Sequence, residues 1–216
     1  MIDLHTHTIF SDGELIPSEL VRRAIDKGYR AIAMTDHADL SNIDFIVPRI
    51  LKVCKQLRRT CPIQVIPGIE ITHVPPQHIA ELAGIGRGLG AEIIVVHGET
   101  IVEPVMSGTN LAAVLADIDI LAHPGLVTDE VAALARENGV LFEITARKGH
   151  SLTNGHVAKC AQRNRVSLVL NTDAHAPGDL VTASFARLVA LGAGLDGEAY
   201  DEMIQNAEML IRKRAD

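Results

Sequence analysis

Histidine and carboxylate side chains recur where the short apolar segments of this chain end. The first segment carries His5 and His7, and Asp12 follows it in the turn Ser11-Asp12-Gly13. On a strand, residues separated by one position point to the same face. Imidazole is the commonest protein metal ligand. The His5–His7 pair therefore predicts half of a metal site, whose remaining ligands must come from later segments.

Further candidate ligands follow later apolar segments in the same way. They are His37, Glu70, His97, His123, Asp173 and His175. A lone histidine is more often a core or loop residue, but coincidence at so many segment ends is a weak explanation. Mixed imidazole and carboxylate ligands suit zinc, manganese or iron rather than calcium. The sequence therefore predicts a site for two or three divalent ions (Zn, Mn or Fe).

The apolar segments alternate with helical patterns along the whole chain. The predicted strands span residues 2–7, 31–34, 63–66, 91–96, 118–122, 140–144 and 166–170. The predicted helices span residues 17–27, 43–59, 77–89, 111–116, 129–137, 156–163, 180–191 and 198–213. Strand–helix units in series indicate parallel strands with helices outside. Polar residues at the C-terminal strand ends favour a barrel over an open sheet, because barrel enzymes build their sites there. We expect an α/β fold, a distorted (β/α)7 TIM-like barrel, as a single domain over residues 1–216.

Composition limits the partners and the compartment. The formal net charge is −7, which argues against extended nucleic-acid binding, because such binding depends on clustered lysine and arginine. Apolar runs stay well short of the roughly 18 residues of a membrane span. The cysteines, Cys54, Cys61 and Cys160, are odd in number and form no Cys-x-x-Cys pair. We expect a cytoplasmic protein with reduced cysteines and no membrane partner; the oligomeric state is not predicted.

The same stretches, in the same order, resemble the PHP (polymerase and histidinol phosphatase) family of metal-dependent phosphoesterases. The matching residues are Asp3-Leu-His-Thr-His7, Ser11-Asp-Gly13, Thr35-Asp-His37, Gly68-Ile-Glu70, His97, His123-Pro-Gly125 and Asn171-Thr-Asp-Ala-His175. They extend from residue 3 to residue 175. The resemblance implies a distorted seven-stranded barrel with a trinuclear metal site at its rim.

The resemblance also implies how the ligands are shared among the ions. One ion would take His5, His7, Glu70 and Asp173. Glu70 would bridge to a second ion, held by His97 and His123. Asp12, His37 and His175 would hold the third, although many family members have a histidine in place of Asp12.

A phosphate monoester is the substrate class that this site predicts. Paired ions clamp the attacking and leaving oxygens of phosphate-ester hydrolysis and lower the pKa of bound water, which supplies hydroxide at neutral pH. We assign catalysis to Glu70, Asp173 and His175, and expect a small phosphorylated metabolite, such as histidinol phosphate or a nucleotide phosphate, as substrate. Two alternatives stay open. One is an amidohydrolase-type enzyme that cleaves a C–N bond, and the other is a non-catalytic accessory domain that holds metal.

Polar residues outside this set have weaker assignments. Arg147 and Lys148 follow the sixth predicted strand and would grip the substrate phosphate, or else form a solvated pair. Glu99 and Glu143 are candidates for orienting the histidine ligands. His150 is expected near the mouth of the site. The remaining histidines are expected at the surface: His73, His78 and His156.

Overall fold

Seven parallel strands follow one another around a nearly closed barrel in the computed structural model, which describes residues 1–215. The sheet order is β1-β2-β4-β5-β6-β7-β8, and the short strand β3 pairs with the second half of β4. The strands are β1 (Ile2–Asp3), β2 (Ala31–Met34), β3 (His37–Ala38), β4 (Gln64–Ile71), β5 (Ile93–His97), β6 (Ile120–Ala122), β7 (Leu141–Thr145) and β8 (Leu168–Asn171). The expected fold class, a distorted α/β barrel, is confirmed.

Helices surround the barrel and connect its strands. They are α1 (Pro17–Asp26), α2 (Ile43–Leu57), α3 (Ile79–Leu89), α4 (Thr109–Val114), α5 (Asp129–Asn138), α6 (Asn154–Asn164), α7 (Ala183–Gly192) and α8 (Gly197–Ala215). Short 3-10 turns span Pro76–His78 and His150–Thr153. Local sequence explains several starts: Pro17 occupies the first turn of α1, and the Thr128 hydroxyl accepts a hydrogen bond from the Val131 amide of α5. Among the described residues, the helices are too short or too polar to cross a bilayer.

Alternating side chains of the strands build two separate apolar cores. In β5, Ile93 and Val95 point into the barrel, whereas Ile94 and Val96 pack outward against the helices. The inner core is closed at the N-terminal end of the barrel by α8, whose Leu210 packs against it. Both faces of β5 are buried, as a continuous apolar run in a parallel strand indicates.

The barrel closes where the segment after β1 meets the segment after β8. One parallel bridge joins Thr6 to Ala174. The His7 amide donates to the Ala174 carbonyl at 2.9 Å, and the Asp173 amide donates to the His5 carbonyl at 3.0 Å. This seam therefore brings the first and last groups of candidate ligands together through their own backbone.

Strand β4 differs most from the sequence prediction. It runs through Pro67 and Gly68 to Ile71, although the Pro-Gly pair predicts a break after residue 66. Pro67 tolerates this position because it lies in the parallel register opposite Met34 while its carbonyl accepts from the Glu92 amide. A Cβ at Gly68 would lie 2.7 Å from the Ile93 carbonyl oxygen, so the close approach of β5 requires glycine. Glu70 therefore projects from inside a strand rather than from a loop.

An ion-pair network joins α8 to the N-terminal end of the barrel. Buried Asp119 accepts hydrogen bonds from Arg87 at 2.6 Å, from the Ile94 amide at 2.8 Å and from Arg214 at 2.7 Å. Both oxygens of the carboxylate have partners. We call Arg87, Asp119 and Arg214 the basal network.

Candidate metal centre

All nine predicted ligands lie at the C-terminal rim of the barrel. His5 and His7 follow β1, Asp173 and His175 follow β8, and Asp12 lies in the turn beyond His7. The others are His37 in β3, Glu70 in β4, His97 at the end of β5 and His123 directly after β6. Parallel strands present their C-terminal ends at one edge, so residues far apart in the chain meet there.

Glu70 occupies the centre of the group. Its side chain is 0% exposed, and its Oε1 lies 3.3 Å from His5 Nε2 and 3.8 Å from His123 Nε2. The other oxygen, Oε2, lies 2.6 Å from His37 Nδ1 and 3.8 Å from His7 Nε2. One carboxylate thus faces four histidines from three segments of the rim.

Asp173 faces three of these histidines, His5, His7 and His123. Its Oδ1 lies 3.2 Å from His7 Nε2 and 3.7 Å from His5 Nε2, and its Oδ2 lies 3.6 Å from His123 Nε2. The backbone of Asp173 has a φ of 51°, and that of His123 a φ of 27°. Non-glycine residues rarely adopt these values, and such strain concentrates at functional sites.

A third group forms at the open side of the rim. Asp12 is 55% exposed, and its Oδ1 lies 3.3 Å from His37 Nε2 and 3.2 Å from His175 Nε2. The loop that carries Asp12 is held by buried Asp36, which accepts hydrogen bonds from the backbone amides of Thr8 and Ser11. Asp36 directly precedes His37. One short segment therefore carries one candidate ligand, His37, and holds the loop of another, Asp12.

On the other side of Glu70, His97 and His123 meet two residues outside the predicted ligand set. The ring of buried His150 stacks on that of His123 with centroids 4.1 Å apart. Glu103, in the loop after β5, places Oε2 at 3.1 Å from His97 Nε2 and Oε1 at 3.3 Å from His150 Nε2. The exposed ring of His73 also contacts Glu103 Oε2, at 3.1 Å.

Several polar atoms at this rim are buried without a hydrogen-bond partner. They are Nε2 of His5, both ring nitrogens of His7, Nδ1 of His123 and Oε1 of Glu70. Buried polar groups are nearly always satisfied, and buried charges are paired or bind a metal. Groups of three or four of these side chains bring one ligand atom each within 4.8 Å of the others. The donor set therefore fits divalent cations.

A second layer of residues orients the ligands. Glu143 Oε2 lies 2.8 Å from His5 Nδ1 and accepts from the Asn171 amide group at 2.9 Å. This contact fixes which nitrogen of His5 faces Glu70, as expected of Glu143. Glu99 was expected to do the same, but it accepts instead from the backbone amides of Gly108 and Asn110 at the start of α4. That expectation is wrong, because the side chain turns away from the histidines.

Burial and mutual contact shift the pKa values of the group in opposite directions. Burial raises the pKa of Asp173 to about 7. Burial, together with the neighbouring His37, lowers the pKa of His7 well below its usual value. For His37, the Glu70 and Asp12 carboxylates outweigh burial and raise its pKa to about 10. The hydrogen bond from His97 lowers the pKa of Glu103 to about 2. Perturbed ionisable groups gathered in one cleft are typical of a functional site.

A cavity of about 420 Å³ opens above the rim. Its lining includes Asp12, His37, Arg147, Asp173 and His175. The Arg147 guanidinium donates to the Asp173 carbonyl at 3.0 Å. Lys148 is not in this lining; it borders an adjacent cavity beside Leu180. The structure thus brings Arg147 to the ligands and leaves Lys148 outside them.

Sequence reasoning missed two residues of the rim, Glu103 and His73. Glu103 lies in a loop with no strand-end position, and His73 follows β4 in the left-handed backbone region at φ 53°. His150, expected near the mouth of the site, lies in a 3-10 turn that borders the cavity. His73 is exposed, as expected, but together with Glu103 and His97 it also belongs to one group of potential ligands. Inspection of the histidines and carboxylates in the predicted loops after each strand, and not only of those at the strand ends, would have identified them.

The sequence model of the PHP domain family matches residues 3–199 of the chain. The chain belongs to the PHP domain family. The resemblance stated from the motifs is confirmed.

Two related proteins align with nearly the whole length of this chain. An uncharacterized protein of Methanocaldococcus jannaschii is 48% identical over 214 residues, which are 98% of each protein. A protein of Shewanella sp. (strain MR-4) named a probable phosphatase is 28% identical over 234 residues, covering 97% of this chain and 89% of that protein.

Two solved structures share the fold. A chain in the cryo-EM structure of archaeal ribonuclease P with mature tRNA has a TM-score of 0.75 at 19% identity, over 98% of this chain and 90% of that one. Histidinol phosphate phosphatase of Lactococcus lactis, complexed with zinc, L-histidinol and phosphate, has a TM-score of 0.61 at 17% identity, over 99% and 93%.

Proposed function

We propose that the protein is a metal-dependent phosphoesterase that hydrolyses a small phosphate monoester. The observation that carries the proposal is the convergence of buried, unpartnered imidazole and carboxylate atoms around Glu70. Membership of the PHP family, a relative named a probable phosphatase and a neighbour complexed with zinc and phosphate all support it.

The proposed centre holds three ions in overlapping ligand sets. His5, His7, Glu70 and Asp173 form one set, and Glu70 is shared with a second set that contains His97 and His123. Asp12, His37 and His175 form the third. The grouping of ligand atoms in the rim supports this division, with His7 close enough to the third set to contact Asp12 at 3.9 Å.

Bound divalent ions supply positive charge for the phosphoryl and leaving oxygens and lower the pKa of water towards neutrality. The side chains of the protein would fix the positions of these ions and contribute the negative charge of the carboxylates. Glu70 sets the spacing of the first two ligand sets, because its oxygens face histidines of both. Asp173 and His175, one residue apart beyond β8, connect the first set to the third. Catalysis is assigned to these three residues on that ground.

Arg147 is the proposed phosphate-binding side chain. It borders the cavity, and its hydrogen bond to the Asp173 carbonyl holds the guanidinium at the rim. A guanidinium pairs with phosphate through two parallel hydrogen bonds. Lys148 stays a weaker candidate, since it would have to reach across from the adjacent cavity.

The alternatives differ in the bond that is cleaved or in the absence of turnover. C–N hydrolysis by an amidohydrolase-type centre uses fewer histidines than this rim provides, and the family match favours phosphate esters. A non-catalytic metal-holding domain would be expected to lose ligands, whereas all nine positions keep coordinating side chains. The expectation that extended nucleic acid is excluded has no support, because a chain of archaeal ribonuclease P shares the fold.

The deciding experiment is a substrate screen on protein reconstituted separately with manganese, zinc and iron. The panel contains phosphate monoesters of sugars, amino alcohols and nucleosides, short oligonucleotides, and amides as the opposing class. We expect metal-dependent release of inorganic phosphate from one or more monoesters. Turnover of amides alone would overturn the proposal in favour of C–N hydrolysis. Bound ions without turnover of any ester would favour the non-catalytic alternative.

A further inference from the structure

His150 and Glu103 lie beside the proposed second ligand set, yet the family pattern assigns neither of them. His150 is 4% exposed and stacks on His123, while its ring meets that of His97 edge-on with centroids 5.7 Å apart. The histidines 97, 123 and 150 present ligand atoms within 4.8 Å of one another. Three buried imidazoles from three separate segments thus converge on one point of the rim.

The hydrogen bonds of these rings indicate which nitrogens face that point. His97 Nδ1 lies 3.2 Å from the Gly98 carbonyl oxygen, which can only accept, so this nitrogen carries the proton. His150 Nδ1 lies 2.9 Å from the Thr100 hydroxyl. Both rings therefore direct Nε2 towards Glu103. Metal-binding histidines are held in this way, with the outer nitrogen bonded to a carbonyl or hydroxyl and the inner one free for the ion.

Glu103 completes the arrangement with a carboxylate that faces both inner nitrogens. Its oxygens lie 3.1 Å from His97 Nε2 and 3.3 Å from His150 Nε2. With the proton on Nδ1 alone, His97 turns a lone pair towards a carboxylate oxygen, which is repulsive unless either a second proton on Nε2 or a metal ion lies between them. Two ligands of one zinc ion, each about 2.1 Å from it, are about 3.0–3.4 Å apart. The observed separations match that spacing.

We propose that His150 and Glu103 are additional protein ligands of the ion held by His97 and His123. His150 shares one group of ligand atoms with His97 and His123, and Glu103 shares another with His97. With the proposed bridging Glu70, these side chains would offer the ion up to five protein ligands. Glu103 is 37% exposed on a loop, so it is the ligand that a substrate oxygen can displace. The inference rests on the proposed metal-dependent function and adds ligands to it.

The test measures bound metal rather than activity. Wild-type protein, His150→Ala and Glu103→Gln are loaded with zinc, dialysed against a weak chelator, and analysed for ions per chain by mass spectrometry. The dissociation constant of each ion is measured by competition with a chromophoric chelator. We expect His150→Ala to lose one ion of the wild-type set, with a dissociation constant raised about 100-fold. Glu103→Gln should weaken the same ion about 10-fold, in the range found when metal-site partners are removed.

Matched controls separate ligand loss from general effects. His78→Ala and Glu81→Gln remove an exposed histidine and an exposed glutamate that contact each other outside the rim, and both should bind metal as the wild type does. Because His150 is buried, circular dichroism must show that its variant folds. Glu103→Gln, at an exposed position, tests the proposal independently of folding.

The outcomes are distinguishable. Unchanged ion content and affinity in both variants would overturn the inference and leave the proposed function standing, since Glu103 would then be an ion-pair partner of protonated histidines. Wild-type protein that binds no divalent ion would overturn the inference and the proposed function together.

Discussion

The two ends of the barrel both bury charged residues, but they satisfy them differently. At the N-terminal end, both oxygens of Asp119 in the basal network accept hydrogen bonds from arginines or a backbone amide. At the C-terminal rim, ring nitrogens of His5 and His7 and an oxygen of Glu70 lie buried without partners. The contrast is clearest between two carboxylates: both oxygens of Asp119 have hydrogen-bond partners, whereas Glu70 Oε1 has none and is available to a ligand. Arg87 Nε in the basal network also lacks a hydrogen-bond partner, but it lies 3.5 Å from the Asp117 carboxylate.

Loss of Glu70 is expected to have the largest effect on the rim. Glu70→Ala should lower phosphate-ester hydrolysis by more than about 1,000-fold, because even one polarising hydrogen bond is worth up to about that much in other enzymes. The unfolding free energy without added metal should fall much less than that of a basal-network variant. Hydrolysis of an activated phosphate ester and urea unfolding measure the two effects, with Glu81→Ala as control. Wild-type rates in metal-loaded Glu70→Ala would show that the rim is not the catalytic centre.

Loss of Asp119 is expected to act only on stability. Asp119→Ala removes the buried carboxylate that pairs with Arg87 and Arg214, and breaking a buried ion pair in this way costs about 3–5 kcal/mol. Activity per folded molecule should stay unchanged. Urea unfolding tests this, with Asp117→Ala as control, since that exposed carboxylate contacts the same two arginines but should contribute only about 0–1 kcal/mol. Equal losses in both variants would contradict the distinction between the two carboxylates.

Loss of Glu143 tests whether the second layer of the rim acts through the ligands. Glu143→Gln keeps the shape of the side chain but removes the charge opposite His5 Nδ1. Metal affinity should fall about 10–100-fold, as in other sites where the hydrogen-bond partner of a metal-binding histidine is removed. Titration with zinc against a competing chelator provides the measurement, and Glu99→Gln is the comparison. If the Glu99 variant lost as much affinity, the effect would be a general disturbance of the rim.

Loss of Arg147 should have the smallest effect of the four. Arg147→Ala should raise KM for the phosphate ester about 10-fold, the equivalent of one charge-assisted hydrogen bond. Lys148→Ala should change KM less than twofold, because Lys148 borders another cavity. Steady-state kinetics on the best substrate of the screen decide between them. A larger effect for Lys148 would place the substrate on the other side of Arg147.

The sequence could place most of the candidate ligands on one rim because they lie at, or just after, the end of a strand. Strands β1, β5 and β8 can be recognised from their apolar sequences alone. They bring to one edge of the barrel the pair His5 and His7, then His97, and the pair Asp173 and His175. Asp119 could not be interpreted in this way: nothing in the sequence shows that it meets an arginine from α8, nearly a hundred residues away.

Residues fixed by loops escaped prediction for the same physical reason. Glu103 reaches His97 and His150 only through the path of the loop after β5, and that path is set by long-range packing rather than by periodicity. The Pro-Gly pair of β4 led to a wrong prediction of where that strand ends, because pairing with β2 and β5 overrides the local preference of these two residues. Local patterns therefore located the main strands of the barrel, but not every strand end and not the side chains that the loops place beside them.

The seam of the barrel has a consequence for how the molecule comes apart. Among the described residues, the backbone ladder between the chain's earliest and latest strand segments consists of one bridge, between Thr6 and Ala174, and hydrogen bonds to the Asp3 and Asn171 side chains support it. An ion held by His5, His7 and Asp173 would bind residues on both sides of that seam and so cross-link them. Pulling the two ends of the chain in a force experiment should then open the metal-loaded barrel at a higher force than the barrel from which a chelator has removed the metal. The same cross-link should slow hydrogen exchange of the His7 and Asp173 backbone amides.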